Sequence, residues 1–188
     1  MVGIIYRNGG MHGIIQLLIK KANTPKKGQI SIWLFGIIIF FDDYSNTLIV
    51  GNTSRLLCDK LGISREKLAY LVDSTSAPVA TVAVITTWIG FQISIISDSI
   101  ENIGGISEPA YLLFIHSIAY SFYPFLALFL VGLVVTMGKD FGPMVEAELR
   151  ARKNKNKKVE ESAQNNGEEL KVKDNITYNA VNAILPIS

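Results

Sequence analysis

The chain has 188 residues, 49% of them hydrophobic and only 18% charged, and its mean hydropathy is positive, a balance beyond that of ordinary soluble domains. A formal net charge of +2 is too small to suggest a nucleic-acid binder, and a single cysteine, Cys58, excludes an internal disulfide framework and a multi-thiolate metal site. Lys and Arg are absent between Lys27 and Arg55 and again between Lys67 and Lys139, so positive charge is confined to flanks and a tail, as suits a lipid-embedded chain.

The first residues lack the basic start and small-residue cleavage site of a signal peptide, so no removed leader is expected. Val2 to Ile19 is apolar but interrupted by Arg7, Asn8, Gly9, Gly10 and His12; the stretch from Gly13 to Lys21 suits a short interfacial helix or the fraying end of a span. Asn23-Thr24-Pro25 then punctuates the chain. Gly28 to Ser54 is an apolar run that passes directly into Asp42-Asp43-Tyr44-Ser45-Asn46-Thr47 before turning apolar again. A continuous helix would set two carboxylates near the bilayer core, at roughly 2.5 to 3.5 kcal/mol each. Polar, non-helical backbone is tolerated at that depth where protein or water covers it, so the expectation is a re-entrant helical hairpin with Asp42 to Thr47 at its tip.

Leu68 to Ser97 is longer than the ~20 residues needed to cross a bilayer, and it is interrupted by Asp73-Ser74-Thr75-Ser76-Ala77-Pro78. Pro78 lacks an N–H and disfavours helix at Ala77, which predicts a broken transmembrane helix with carbonyls near Ser74 left open to a cation. Ser64 reads as the N-cap of the helix leading in, with Glu66 in its first turn. Ala110 to Met137 predicts a regular transmembrane helix, kinked at Pro124, with Tyr111, Tyr120 and Tyr123 as interface anchors. The fold class expected is thus an all-α membrane protein: residues 1–138 form the membrane-embedded unit and 139–181 a charged cytoplasmic loop, in which Arg150 to Lys158 is a solvated basic run. Residues 182–188 read as the start of a further span cut short.

Charge sets the expected topology. The loop from Ser97 to Pro109 carries Asp98, Glu101 and Glu108 but no cation, whereas the segment after Lys139 is basic, so the first lies outside and the second in the cytoplasm. A single crossing by Gly28 to Ser54 would put Lys20, Lys21, Lys26 and Lys27 outside, against the same rule. A hairpin keeps both of its flanks inside.

These residues carry a resemblance. Phe-Phe-Asp-Asp-Tyr-Ser-Asn-Thr-Leu-Ile-Val-Gly (40 to 51), Ile-Ser-Arg-Glu-Lys-Leu-Ala-Tyr-Leu-Val-Asp-Ser-Thr (63 to 75), Ala-Pro-Val-Ala (77 to 80) and Thr-Trp-Ile-Gly (87 to 90) resemble the NhaC-type sodium/proton antiporter family, over roughly Gly9 to Gly142. Thr53-Ser54-Arg55-Leu56-Leu57 departs from a more usual Met-Arg-Pro pattern, and Ser76 stands where a small apolar residue is expected. The resemblance implies an exchanger of the bacterial or archaeal plasma membrane, built from inverted repeats with helices broken at the midplane. Related family substrates include organic acids such as malate and lactate. Family members resemble chains more than twice this long, so a fragment covering about one repeat, or a truncated reading frame, is expected.

The expected ion-binding residues are Asp42, Asp43, Ser45, Asn46, Thr47, Asp73, Ser74 and Thr75, with Pro78 as the helix break, because hard cations prefer carboxylate, amide, hydroxyl and carbonyl oxygen. The competing readings are helix capping for Asp42, Asp43 and the Asp73 group, and a tip turn for Ser45 to Thr47. His116 reads as a helix contact, and Trp33 and Trp88 as packing or belt residues. Function is expected to be Na+/H+ antiport, not enzymatic catalysis, with Na+ and H+ as transported ions and no cofactor or resident metal. A cation-coupled organic-anion exchanger and an inactive fragment are the alternatives. The expected partners are the lipid bilayer and the missing half of the transporter, with a homodimer as an open option and nucleic acid excluded.

Overall fold

The first three described helices each start where a side chain serves an unpaired N–H group. The computed structural model describes residues 22–105 and 107–154. Thr24 caps α1 (Pro25–Ile38) by accepting the Lys27 N–H at 3.3 Å, with Pro25 in the first turn, where its missing N–H costs nothing. Asp42 caps α2 (Asp43–Leu61), and Ser64 caps α3 (Arg65–Val82) as its sequence suggests. Gly62 ends α2 in the left-handed region at φ 72°, which lets the chain reverse within three residues. Then come α4 (Ile89–Ile103), α5 (Ala110–Ile118), α6 (Phe122–Met137) and α7 (Pro143–Lys153). Every element among the described residues is helical; the stretches 1–21 and 182–188, with their expected interfacial helix and further span, lie outside them.

The pair α1–α2 is an antiparallel hairpin. At one end Gly28 lies against Leu61 and Ile63; at the other, Asn46 bonds the carbonyls of Gly36 and Ile39. Its tip is 39–42, not Asp42 to Thr47: Asp42 is so strong a cap that Ser45, Asn46 and Thr47 already belong to α2. At 1.5 Å per residue α1 is only about 21 Å long, shorter than the ~30 Å of a hydrocarbon core. Ile32, Ile49, Val50, Leu57, Leu71, Val131 and Val135, all nearly inaccessible, form a core shared by α1, α2, α3 and α6. Gly132 admits the Trp33 ring there, since a Cβ at Gly132 would lie 3.0 Å from the indole Cη2.

Two expected breaks move. α3 is helical through Pro78, which is buried, and the chain leaves helix at 83–88 instead. One lost hydrogen bond is tolerable in a helix packed against α1, α2 and α6. The segment Ala110–Met137 is, among the described residues, the one helical stretch long and apolar enough to cross a membrane, yet it is not regular. It is interrupted at 119–121, where Ser121 (φ −78°, ψ 65°) makes an inverse γ-turn and the Phe122 N–H donates to the Tyr120 carbonyl at 2.9 Å. The cause is Pro124, whose ring would strike the Tyr120 carbonyl four residues earlier in a continuous helix.

The segment after α6 is likewise more ordered than the expected solvated loop: through Lys153 it forms α7, which packs on α3. Glu148, 2% exposed, accepts the Ser64 N–H at 2.7 Å; Lys67, wholly buried, pairs with Asp140; and Arg150 meets Glu66 at 3.0 Å. This end of the bundle therefore gathers the open end of the hairpin, the start of α3 and the start of α7. The Lys67–Asp140 pair joins the start of α3 to the chain just past the end of α6; Val82 lies about 22 Å along α3 from Lys67, and Phe122 about 22 Å along α6 from Met137. By that reckoning the breaks at 83–88 and 119–121 share one height, and the Thr87 N–H, bonded to the Phe41 carbonyl at 2.9 Å, brings the hairpin tip to it.

Candidate functional site

The tip is where the carboxylates meet the second break. Asp42 accepts the Ser45 N–H on Oδ2 at 2.7 Å, the capping bond, and the Thr87 hydroxyl on Oδ1 at 2.9 Å. Asp43, in the first turn of α2, accepts the Trp88 indole N–H on Oδ1 at 3.0 Å. Both aspartates are half-buried, and neither has an ion-pair partner among the described residues. A carboxylate held by hydroxyl and indole donors still has lone pairs open to a proton or a hard cation.

Below the tip lies a second set. Asn46, wholly buried, donates both amide hydrogens, to the carbonyls of Gly36 and Ile39 at 2.7 Å each, and so serves the C-terminal end of α1. Its Oδ1 has no hydrogen-bond partner among the described residues. Thr75 lies beside it across Gly36, where a Cβ would come 3.1 Å from Thr75 Cγ2 and 3.8 Å from Asn46 Oδ1. The Thr75 hydroxyl is already bonded to the Leu71 carbonyl at 2.6 Å.

Asp73 belongs to neither set. It is exposed and lines a groove of about 840 Å³ between α2 and α3, with Thr47, Asn52, Arg55, Arg65 and Tyr70. The Thr47 hydroxyl donates to Ser76 Oγ at 3.1 Å, tying the two helices, and Ser74 is half-buried next to Asp73. The eight expected residues are thus distributed over tip, interior and groove. The sequence reading names Thr87 only within its motif, with no site role, and reads Trp88 as packing or belt, because both sit 45 residues from the aspartates they touch. The only signal was the Thr-Trp-Ile-Gly motif itself. His116 is exposed, 4.0 Å from Glu108.

The profile of the Na+/H+ antiporter family matches residues 79–188, which takes in the 83–88 break and α4 to α7 but not the hairpin. A protein of Haemophilus influenzae described only as uncharacterized is 29% identical over 131 residues, 70% of this chain and 25% of that protein. The chain therefore spans about a quarter of the length of that relative. No solved structure matches it. With more than half of its residues inside the family match, the chain belongs to the Na+/H+ antiporter family.

Proposed function

We propose that the chain forms one repeat of an NhaC-type sodium/proton antiporter of a bacterial or archaeal plasma membrane, with Asp42 and Asp43 as the exchange carboxylates. The observation that carries this reading is the convergence of both carboxylates with the α3–α4 break at the hairpin tip. Irregular backbone and carboxylates at membrane depth need cover by protein or water, and a site at the meeting of two chain breaks supplies both irregular backbone and charge. Na+ and H+ compete for the same oxygens as exposure alternates, so no covalent step is needed. The apolar outer face of α6, with Phe125, Leu126, Phe129 and Leu130 exposed, suits lipid. The groove holding Asp73 suits the companion part of the transporter.

The test uses substitutions that remove charge and keep shape. Asn is as good a helix cap as Asp, so Asp42→Asn with Asp43→Asn keeps α2 intact. Produced with its companion half in antiporter-deficient cells, the native chain should drive Na+-dependent pH change in inverted vesicles. The double variant should insert and stay silent. Exchange that survives loss of both carboxylates would refute the assignment. Arg55 and Arg65 in the Asp73 groove favour a second reading, cation-coupled exchange of an organic anion; lactate or malate uptake lost on Arg55→Gln would identify it.

A further inference from the structure

The tip and the start of α4 are joined by three hydrogen bonds, and two of them end on the aspartates themselves. Thr87 and Trp88 immediately precede α4, with Trp88 at its N-cap position offering no side-chain cap. α4 buries no residue and packs chiefly on α5, so what fixes its base is largely the break. We propose that Thr87 and Trp88 are positioning residues that sense the occupancy of Asp42 and Asp43 and convey it to α4. The inference rests on the assignment of those aspartates as the exchange carboxylates.

The chemistry follows from the nature of the acceptors. Bonds from the Thr87 hydroxyl and the Trp88 indole to ionised carboxylates are charge-assisted, about twice as strong as neutral ones. A proton on either carboxylate, or Na+ on the same oxygens, removes that assistance. The Thr87 N–H to Phe41 carbonyl bond is neutral at both ends and stays, acting as a pivot. The latch is therefore tight when the carboxylates are bare and loose when they are loaded. Of the other charged groups on these helices, Asp73 on α3 lines the groove; Lys26 and Lys27 are in the first turn of α1 and Arg65, Glu66 and Lys67 in that of α3; Arg55, Asp59 and Lys60 are in the half of α2 nearer the open end of the hairpin; and Asp98 and Glu101 are in the half of α4 farther from Trp88.

Trp88 reports on its own bond. The chain has two tryptophans, so Trp33→Phe leaves Trp88 as the sole emitter. The full chain carrying that change, in lipid nanodiscs, is titrated with NaCl at fixed ionic strength and separately with acid. The expected result is a saturable shift of Trp88 emission in both titrations, abolished by Asp43→Asn. In vesicles, Trp88→Phe and Thr87→Val remove bonds that favour the bare carboxylates, so they should displace the pH profile of exchange and lower the half-saturating Na+ about tenfold, whereas Thr87→Ser, which keeps the hydroxyl, should restore the native value. Trp88 emission indifferent to both ions, or a response that persists in Asp43→Asn, overturns the latch even where exchange is normal. Loss of exchange from the native chain would count against the proposed function instead, because the emission titrations need no transport.

Discussion

Replacing Lys67 by Met should be the most damaging single change at the open end of the bundle. Its ammonium is wholly buried, pairs with Asp140, and lies 5.5 Å from the centre of the Tyr70 ring. Breaking a buried pair from one side costs about 3 to 5 kcal/mol because the remaining charge is stranded. Asp140 keeps 10% of its surface, which places the expected cost near the lower figure, about 3 kcal/mol. For a chain of this size that is a fall in Tm of roughly 6 to 12 °C. Lys67→Met combined with Asp140→Leu removes both charges and should recover most of the loss. Arg150→Ala is the internal control: its pair with Glu66 is exposed on both sides and should contribute less than about 1 kcal/mol. Thermal denaturation of the detergent-solubilised chain, followed by loss of the monodisperse peak in size exclusion, reads all of them. A Lys67→Met protein no less stable than the Arg150→Ala control, or a double variant no better than the single, would show that the pair is not what holds α3 to the segment after α6.

Three further outcomes can be checked. Cysteines at the exposed positions Asn23, Lys60 and Lys153 should be labelled by an impermeant maleimide from one side of the membrane and a cysteine at Asn102 from the other, with buried Cys58 silent; labelling of Asn23 and Lys60 from opposite sides would contradict the hairpin. Asn46→Ala leaves two buried carbonyls of α1 without donors, a loss of about 1 to 3 kcal/mol, and should be seen as faster amide exchange confined to 36–46. Gly132→Val drives side-chain carbons into the Trp33 ring and should cost about 1 to 3 kcal/mol by thermal denaturation, relieved by Trp33→Leu.

What could be read ahead of the coordinates was local. Ser64 announced its helix three residues before Lys67 receives it, and the polar insert after Phe41 announced an interruption. The tip falls earlier than expected because capping, the competing reading for Asp42, decides where α2 begins. The interruption at 119–121 follows from Pro124 acting on the residue four before it, a displacement easily missed when a proline is taken to kink where it stands. Pro78 shows the opposite failure: a local breaker overruled by packing. The remainder of the site was out of reach, since Asp42 meets Thr87 and Lys67 meets Asp140 across 45 and 73 residues, and no local pattern encodes such meetings.

The bond from Ser64 to Glu148 has a consequence for biosynthesis. Its two partners lie 84 residues apart, and a ribosome adding about 5 to 20 residues per second needs roughly 4 to 17 seconds to travel from one to the other. Through that interval the hairpin and α3 exist without the carboxylate that completes the first turn of α3, and the Ser64 N–H must find water. The reversal at 62–64 is thus made early and locked late, which leaves a window in which the nascent segment can still adjust its depth before α7 closes over it.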